Sequence, residues 1–136
     1  MTQPMLRYQL SQFSNWQRNM FTKFDAIVAL VENPSFILEE DNSITWLSVD
    51  KTQPTEAEIQ AKIAELQAAE PLRQLREQRN QLLAQSDWRM VSDYPGSNQT
   101  EWQTYRQSLR DITTQTPSLD ENGQLTGITW PTPPTD

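Results

Sequence analysis

The chain has 136 residues, enough for one ordinary domain or for two small units joined by a helix. An apolar share of 35% is low for a globular domain, so we expect a thin core and either an elongated shape or stability completed by a partner. The net charge of −7 disfavours nucleic acid and anionic membrane surfaces as partners. Cysteine and histidine are absent, which excludes disulfides, thiolate zinc sites and histidine-dependent catalytic triads.

Other chemistry is equally poorly supported. The three glycines form no phosphate-binding loop, and the acidic residues at 39–41 and 120–121 are typical of solvated turns. No apolar run approaches the roughly 20 residues of a membrane span, and MTQPMLRYQL lacks the order of a secretory signal. The sequence therefore predicts a soluble protein that is not an enzyme and holds no cofactor or metal.

Residues 1–50 are predicted to form a small α+β unit. MLRYQL alternates apolar and polar residues, as a half-buried strand does. Apolar residues at helical spacing follow, with Thr22 as a candidate cap and Pro34 closing the helix. Two short apolar runs around the turn dipeptide Asp41-Asn42 predict a β-hairpin. The expected core comprises Phe24, Ile27, Val28, Leu30, Ile37 and Trp46.

A long helical segment follows, beginning at a capping box of Thr55 and Glu58. Because proline inside a helix costs about 3 kcal/mol, Pro71 predicts two helices, at about 55–69 and 71–86, or one helix kinked near Glu70. Its narrow apolar stripe leaves two interpretations open. It packs on its own domain, or it makes a coiled-coil or homo-oligomeric contact with another chain through residues 55–86.

The next two helices are predicted to form an antiparallel hairpin. Ser86-Asp87 ends the first, SDYPGSNQ is turn-forming, and TEWQTYRQSLRDI is helical, with Ser97, Asn98 or Thr100 as its cap. Asp87 is placed for a local cap or for an arginine. We expect Leu82, Leu83 and Trp88 to meet Trp102, Tyr105 and Leu109, with Arg79, Arg106, Arg110 and Asp111 at the fringe.

The C-terminal region should turn at Asn122-Gly123, form a short strand ending in Trp130, and finish as a Pro-rich tail. Three prolines in the last six residues favour polyproline II, which leaves the backbone unpaired. The predicted fold is thus α+β. It has a small unit at 1–50 and a helical linker at 51–70. Residues 71–136 form the helical hairpin and the extended Pro-rich tail, and a long kinked helix leads into the hairpin.

Several motifs in order carry a resemblance. LRQLREQRNQLLAQSDWRMVSD, EWQTYRQSLRDI and the terminal ITWPTPP resemble the C-terminal module of bacteriophage tail fibre assembly proteins, the tail assembly chaperones, over about residues 71–134. The matching residues are Arg76, Arg79, Asn80, Leu82, Leu83, Asp87, Trp88, Trp102, Tyr105, Arg106, Gln107, Leu109, Arg110, Asp111, Ile112, Trp130, Pro131 and Pro134. Residues 1–50 carry no motif of that family.

The resemblance implies a non-enzymatic chaperone in the host cytoplasm. Relatives assist trimerisation or maturation of tail fibres, usually at the distal C-terminal end, and some stay on the finished fibre. A trimeric tail fibre protein is therefore the expected partner. The candidate partner-binding residues are Trp16, Trp102, Trp130, Pro131, Pro133 and Pro134, with burial favoured over contact for Trp102. The alternative is a structural virion component, such as a fibre-tip adhesin or a baseplate decoration protein.

Overall fold

The computed structural model describes residues 20–135. The chain divides into two compact units, Met1–Ala69 and Glu70–Asp136, and its helices and small antiparallel sheets make the fold α+β. The strand predicted at MLRYQL lies outside the described residues, as does Trp16. Across residues 20–135, no helix combines the length and the apolar character that a membrane span requires.

The first unit begins with helix α1, Lys23–Leu30, which starts where the sequence predicted. Thr22 and Asp25 form a capping box, in which the Thr22 amide donates to Asp25 Oδ2 at 2.7 Å. This reciprocal pair satisfies amides that a helix start leaves without partners. The helix ends at Val31, whose backbone is extended, before Pro34 is reached.

The predicted β-hairpin is confirmed. Strands β1, Phe36–Leu38, and β2, Ile44–Trp46, pair antiparallel, with Phe36 opposite Trp46 and Leu38 opposite Ile44. At the turn, Asn42 adopts a φ of 65° and Asp41 Oδ1 accepts from the Ser43 amide at 2.9 Å. Asparagine tolerates this left-handed conformation better than most residues, which explains the position of the turn.

The described core of the first unit differs in membership from the predicted one. Ala26, Ile27 and Ile59 are fully buried, and Ile63 packs against them with the hairpin residues Phe36, Ile44 and Trp46. Ile27 and Trp46 were correctly placed in the core. Four predicted core residues are instead exposed by 40–53%: Phe24, Val28, Leu30 and Ile37.

Geometry explains these errors. Among the described residues, the hairpin and Ile59 pack on the Ala26-Ile27 flank of α1, where the small alanine allows close approach, and the Phe24 ring meets Phe36 at the edge of this contact, with centroids 5.6 Å apart. Ile37 is exposed because alternate side chains of a strand point to opposite faces, and its neighbours Phe36 and Leu38 take the inner one.

Helix α2 spans Glu56–Ser86 without a break, so of the two predicted alternatives the single long helix is confirmed and the pair of separate helices is wrong. Its predicted capping box is confirmed: the Thr55 amide donates to Glu58 Oε2 at 2.7 Å, and the Glu58 amide to Thr55 Oγ1 at 3.2 Å. Ile59 and Ile63 pack in their own unit, as the first of the two interpretations expected.

Side chains beside Pro71 account for the continuity. The buried carboxylate of Glu70 accepts from Arg73 Nε and Nη2 at 2.7 and 2.6 Å, and from Gln74 Nε2 at 3.0 Å. These pairs, three and four residues apart, stabilise the turn that follows the one in which proline removes a backbone bond. The Arg73 bonds hold the pKa of Glu70 below its usual range.

Replacing this carboxylate should weaken the second unit. We expect Glu70→Gln to lower the free energy of unfolding by about 1 kcal/mol at pH 7, because the charge-assisted bonds to the half-exposed Arg73 are lost. The measurement is urea unfolding followed by circular dichroism. Glu77→Gln is the matched control. Glu77 also bonds Arg73, at 2.9 Å, but its side chain is 56% exposed, so the expected loss is under about 0.5 kcal/mol.

The pH dependence gives a second readout. A lowered pKa in the folded state means that ionised Glu70 stabilises the fold above its unfolded pKa of about 4.3, and that this contribution is lost as the pH falls through the folded pKa. The difference between wild type and Glu70→Gln should therefore shrink below about pH 4. A difference that stays constant to pH 3 would contradict the assigned role.

The second unit continues from Glu70 to Ser86 in α2, then forms a 3-10 helix, Asp87–Met90, and helix α3, Gln99–Asp111. A second 3-10 helix, Ile112–Thr114, precedes the two-residue strands β3, Ser118–Leu119, and β4, Leu125–Thr126. Two leucines of α2, Leu82 and Leu83, pack against the buried face of α3.

The predicted turn at Asn122-Gly123 is confirmed, with Gly123 at a φ of 78° and Asp120 Oδ1 accepting from the Asn122 and Gln124 amides. The predicted strand is real but ends at Thr126, not at Trp130. Gly127 follows with a φ of 78°, which lies outside the range of a strand, so the strand stops there.

Candidate partner-binding surface

The surface is built on the end of α2, which Arg106 of α3 holds. Ser86 Oγ lies 3.0 Å from the carbonyl oxygens of both Leu82 and Leu83. Arg106 Nη1 donates to the Leu83 carbonyl at 2.6 Å and to Ser86 Oγ at 2.7 Å, and Nη2 donates to Asp87 Oδ1 at 2.6 Å. The last carbonyls of a helix lack intrahelical partners and carry partial negative charge. A guanidinium therefore stabilises this end both by hydrogen bonding and by charge attraction.

The prediction that Asp87 would bond an arginine is confirmed, but the fringe position predicted for Arg106 is wrong. Arg106 is only 7% exposed. It lies one turn from Trp102 on the buried face of α3, where the helix end opposite supplies its acceptors. An arginine can be buried when its donors are matched in this way.

Next to this contact lies an aromatic cluster. Trp102, Tyr105 and Leu109, at the predicted spacings of three and four on α3, are buried, and the Trp102 and Tyr105 rings meet edge to face with centroids 5.5 Å apart. Burial raises the pKa of the Tyr105 hydroxyl. Four half-buried residues pack against the cluster: Leu82, Leu83, Met90 and Trp130.

Trp88 does not join this cluster, contrary to the prediction. Its side chain is 53% exposed, and Met90 takes the place expected for it. The reason is the change of helix type after Ser86. The 3-10 helix at Asp87–Met90 has about three residues per turn instead of 3.6, so the face that points to α3 shifts along the sequence.

The exposed indole of Trp88 is nevertheless firmly supported. The Arg89 guanidinium carbon lies 4.4 Å from the ring centroid of Trp88 and 3.8 Å from that of the buried Trp102. The ring of Tyr94 meets Trp88 edge-on, with centroids 5.5 Å apart. Such cation–π and edge contacts each stabilise by about 0.5–1.5 kcal/mol. A large aromatic side chain is thus presented to solvent with part of its conformational freedom already removed.

A hydrogen-bonded relay runs from this stack to the C-terminal tail. Arg89 Nη1 donates to Tyr94 Oη at 2.8 Å, and Tyr94 Oη donates to Asn98 Oδ1 at 2.8 Å. Asn98 Nδ2 donates to the carbonyl of Thr135 at 2.9 Å. Asn98 occupies the N-cap position of α3, as one of the predicted caps, but its side chain makes no capping bond because the relay uses it.

A groove of about 510 Å³ borders Trp88 and Tyr94 and continues over residues 95–98. Gly96 fits here because a Cβ atom would lie 2.5 Å from Cε1 and Cζ of Tyr94. No ordinary contact is that short, so any side chain at this position must displace the ring.

We expect Gly96→Ala to lower the free energy of unfolding by about 1–2 kcal/mol, because moving Tyr94 breaks its bonds to Arg89 and Asn98. Thermal unfolding followed by circular dichroism measures it. Ser97→Ala, at the exposed neighbouring residue, is the control and should change stability by less than about 0.5 kcal/mol. Equal stability of the two variants would show that Tyr94 is not held as described.

The tail lies against the same unit. Trp130 is half-buried on the aromatic cluster, and the Gln115 side chain pairs with the backbone of Thr129: its Nε2 donates to the Thr129 carbonyl at 2.9 Å and its Oε1 accepts from the Thr129 amide at 2.8 Å. Pro131 and Pro134 are half-buried and Pro133 is exposed. The tail is therefore attached at both ends, through Gln115 and through Asn98.

The candidate contact residues are thus distributed unevenly. The structure brings Trp102 and Trp130 together at the cluster, with Trp102 7% exposed, and it places Pro131, Pro133 and Pro134 between the two attachment points. Sequence reasoning missed the exposure of Trp88, which depends on the 3-10 helix. It also missed the tail contacts of Asn98, which was expected only as a cap, and of Gln115, which no motif marks. Within the described part of the chain, no cluster of acidic side chains is arranged to hold a metal ion.

The fold and surface define a small α+β module whose C-terminal tail is held by its own helices. Residues 72–135 match the family model described as "phage tail assembly chaperone protein". This match covers just under half of the chain, and it confirms the resemblance to the phage tail assembly chaperone family that the sequence shows over these residues. Comparison with curated proteins and with solved structures found no match.

Proposed function

We propose that the chain is an assembly chaperone for a phage tail fibre. The observation that carries the proposal is the family match over residues 72–135, which gives a phage tail assembly role. The finer proposal is that the chain binds the distal, C-terminal end of a trimeric fibre, and assists its folding, trimerisation or attachment in the host cytoplasm. The α2 end and α3 form the antiparallel helical hairpin of this module.

The physical need for such a partner follows from fibre folding. A fibre chain rich in non-local β contacts exposes unpaired strand edges before its three copies meet, and such edges aggregate. A partner that covers them raises the yield of correct trimers without catalysing a reaction. The net charge of −7 favours this protein role over binding to nucleic acid or to anionic membranes.

The contact surface that we propose has two parts. In the second unit it is the exposed Trp88 with the Pro-rich tail, where Trp130, Pro131, Pro133 and Pro134 lie. Supported aromatic side chains are the residues that most often dominate binding energy. Trp102 acts beneath this surface, as the ring on which Arg89 rests.

In the first unit the proposed surface is a set of apolar side chains that are at least 44% exposed: Phe24, Val28, Ile37, Leu47 and Val49. Phe24 and Val28 lie one turn apart on α1, and exposed apolar neighbours of this kind often mark an interaction site. Trp16 stays a candidate contact of this unit.

Co-expression with the tail fibre protein tests the proposal. The fibre is produced with and without this chain, and soluble trimer is measured by size-exclusion chromatography with light scattering. We expect the chain to raise the trimer yield several-fold. A fibre that is equally soluble and trimeric alone would refute the chaperone function.

A structural virion component is the second candidate, because exposed apolar residues suit a permanent interface as well as a transient one. Quantitative mass spectrometry of purified particles separates the two. A stoichiometric amount of the chain supports a fibre-tip or baseplate protein, and its absence excludes one. A contact between copies through residues 55–86 stays a prediction, which sedimentation equilibrium of the chain alone would test.

A further inference from the structure

The C-terminal tail is held in the way that a binding domain holds a peptide. Among the described residues, the segment 128–135 makes no backbone–backbone hydrogen bond. Its polar attachments come from amide side chains that reach the tail backbone: Gln115 pairs with both the N–H and the C=O of Thr129, and Asn98 donates to the Thr135 carbonyl. Gln115 thus acts as a short strand edge would, satisfying one residue of an added segment.

The apolar part of the contact is also peptide-like. One anchor, Trp130, packs on the cluster of Trp102, Tyr105 and Leu109, and three prolines without amide donors follow it. Proline-rich segments dock on aromatic surfaces in this way, because their backbone is already stiff and loses little entropy.

From this geometry we propose that residues Asn98 and Gln115, with the aromatic cluster between them, form a binding site for an extended peptide with an aromatic residue followed by proline. The chain's own tail occupies this site and acts as a strap. The external ligand is a segment of the same chemistry in the tail protein that the chain assists, so the proposal rests on the proposed function. The site contacts the backbone of its ligand and one aromatic side chain. A peptide of different sequence therefore fits the site if it has an extended backbone and an aromatic residue at the anchor position.

Competition by the attached tail sets the strength of external binding. A segment joined by a short linker acts at an effective concentration in the millimolar range. A free peptide therefore meets a site that is almost fully occupied in the wild-type chain. Weakening the attached tail, without changing the site, should raise the apparent affinity for a free peptide.

The test uses the full chain and a fluorescein-labelled peptide with the sequence of residues 127–136, GITWPTPPTD. Fluorescence anisotropy measures its dissociation constant. We expect Trp130→Ala in the chain to bind the peptide at least about tenfold more tightly than wild type, because the anchor of the attached tail is gone. Adding Gln115→Ala should weaken binding again by about tenfold, since two hydrogen bonds to the peptide backbone are lost.

Two controls keep this result specific. A peptide in which alanine replaces the tryptophan should not bind, and far-UV circular dichroism must show that Trp130→Ala retains its helices. If that variant does not fold, Thr129→Pro replaces it. This substitution removes the backbone N–H that donates to Gln115 Oε1, and it leaves the residues of the aromatic cluster unchanged. Equal peptide affinity of wild type and the loosened variant would overturn the proposal.

The source of the ligand is tested separately. With the fibre co-expressed, we expect excess peptide to release it from the Thr129→Pro chain, which keeps every proposed contact residue. If the peptide binds but does not release the fibre, the assignment of the external ligand is wrong. If wild-type chains form dimers that the peptide dissociates, the tails exchange between copies, which also overturns that assignment. The anisotropy measurement needs no fibre, so a failure of peptide binding and a failure of the proposed chaperone function are distinguishable.

Discussion

Replacing Arg106 by methionine is expected to lower the free energy of unfolding of the second unit by about 2–4 kcal/mol. Arg106 donates two hydrogen bonds to the end of α2 and one to Asp87, and its loss leaves the buried Ser86 hydroxyl and the Leu83 carbonyl with one partner fewer. Urea unfolding followed by tryptophan fluorescence measures the change, since Trp88 follows Asp87 in the chain and Trp102 lies one turn before Arg106 on α3.

Two features set the size of this effect. Asp87, the acidic partner, has a side chain that is 65% exposed, so solvent screens the charge pair and the full cost of breaking a buried pair does not apply. Arg106 Nε is buried and has no hydrogen-bond partner in the described part of the chain, which already offsets some of the stabilisation. For both reasons, the expected loss of unfolding free energy falls from about 5 kcal/mol, the cost of breaking a fully buried pair, to about 2–4 kcal/mol.

Arg110→Met is the matched control. Arg110 lies one turn later on α3 and is exposed, so removing its charge should change stability by less than about 0.5 kcal/mol. Similar losses in both variants would mean that positive charge on α3, rather than the hydrogen bonds to the helix end, stabilises the unit.

Features that depend on three or four neighbouring residues could be predicted from the sequence. The capping box of Thr55 and Glu58, the turn at Asp41-Asn42 and the turn at Asn122-Gly123 all formed as expected. In each case the side chain and the backbone groups it satisfies are fixed by local geometry, so little outside the motif can alter the outcome.

Features that depend on contacts made elsewhere could not be predicted. At Pro71, the Glu70 side chain supports the continuity of α2 through its hydrogen bonds to Arg73 and Gln74. Helix propensities of single residues do not include such bonds. The exposed Phe24 and Val28 follow the helical period as well as the buried Ile27 does. Only the position of the neighbouring elements decides which flank of an apolar stripe is covered.

The candidate surface shows the same division. The spacing of Trp102, Tyr105 and Leu109 identified a buried face on α3, and the family pattern identified the module. The role of Trp88 was inverted because one change of helix type moved it from the expected wall of the cluster to solvent. A residue that matches a family motif and is expected in the core can therefore still lie at the surface.

This position makes Trp88 the second test with a large expected effect. We expect Trp88→Ala to weaken capture of the co-expressed fibre by about 30-fold, which corresponds to about 2 kcal/mol at a residue that dominates binding. Because the side chain is 53% exposed, the free energy of unfolding should fall by only about 1 kcal/mol, mainly through the lost contacts with Arg89 and Tyr94. Pull-down of the fibre at graded concentrations gives the binding change, and urea unfolding gives the stability.

Val91→Ala provides the comparison, since Val91 is also apolar, 47% exposed and only three residues away. A valine makes a smaller contact and lacks the support that holds Trp88, so we expect its loss to weaken capture by no more than about threefold. If Trp88→Ala retains full capture while it stays folded, Trp88 is not a contact, and the surface must lie on the tail or in the first unit. Of the two residues, Trp88 is the one that stacks on Arg89, which in turn stacks on the buried Trp102. If both variants lose capture equally, fibre binding therefore depends on exposed apolar area and not on a supported aromatic anchor.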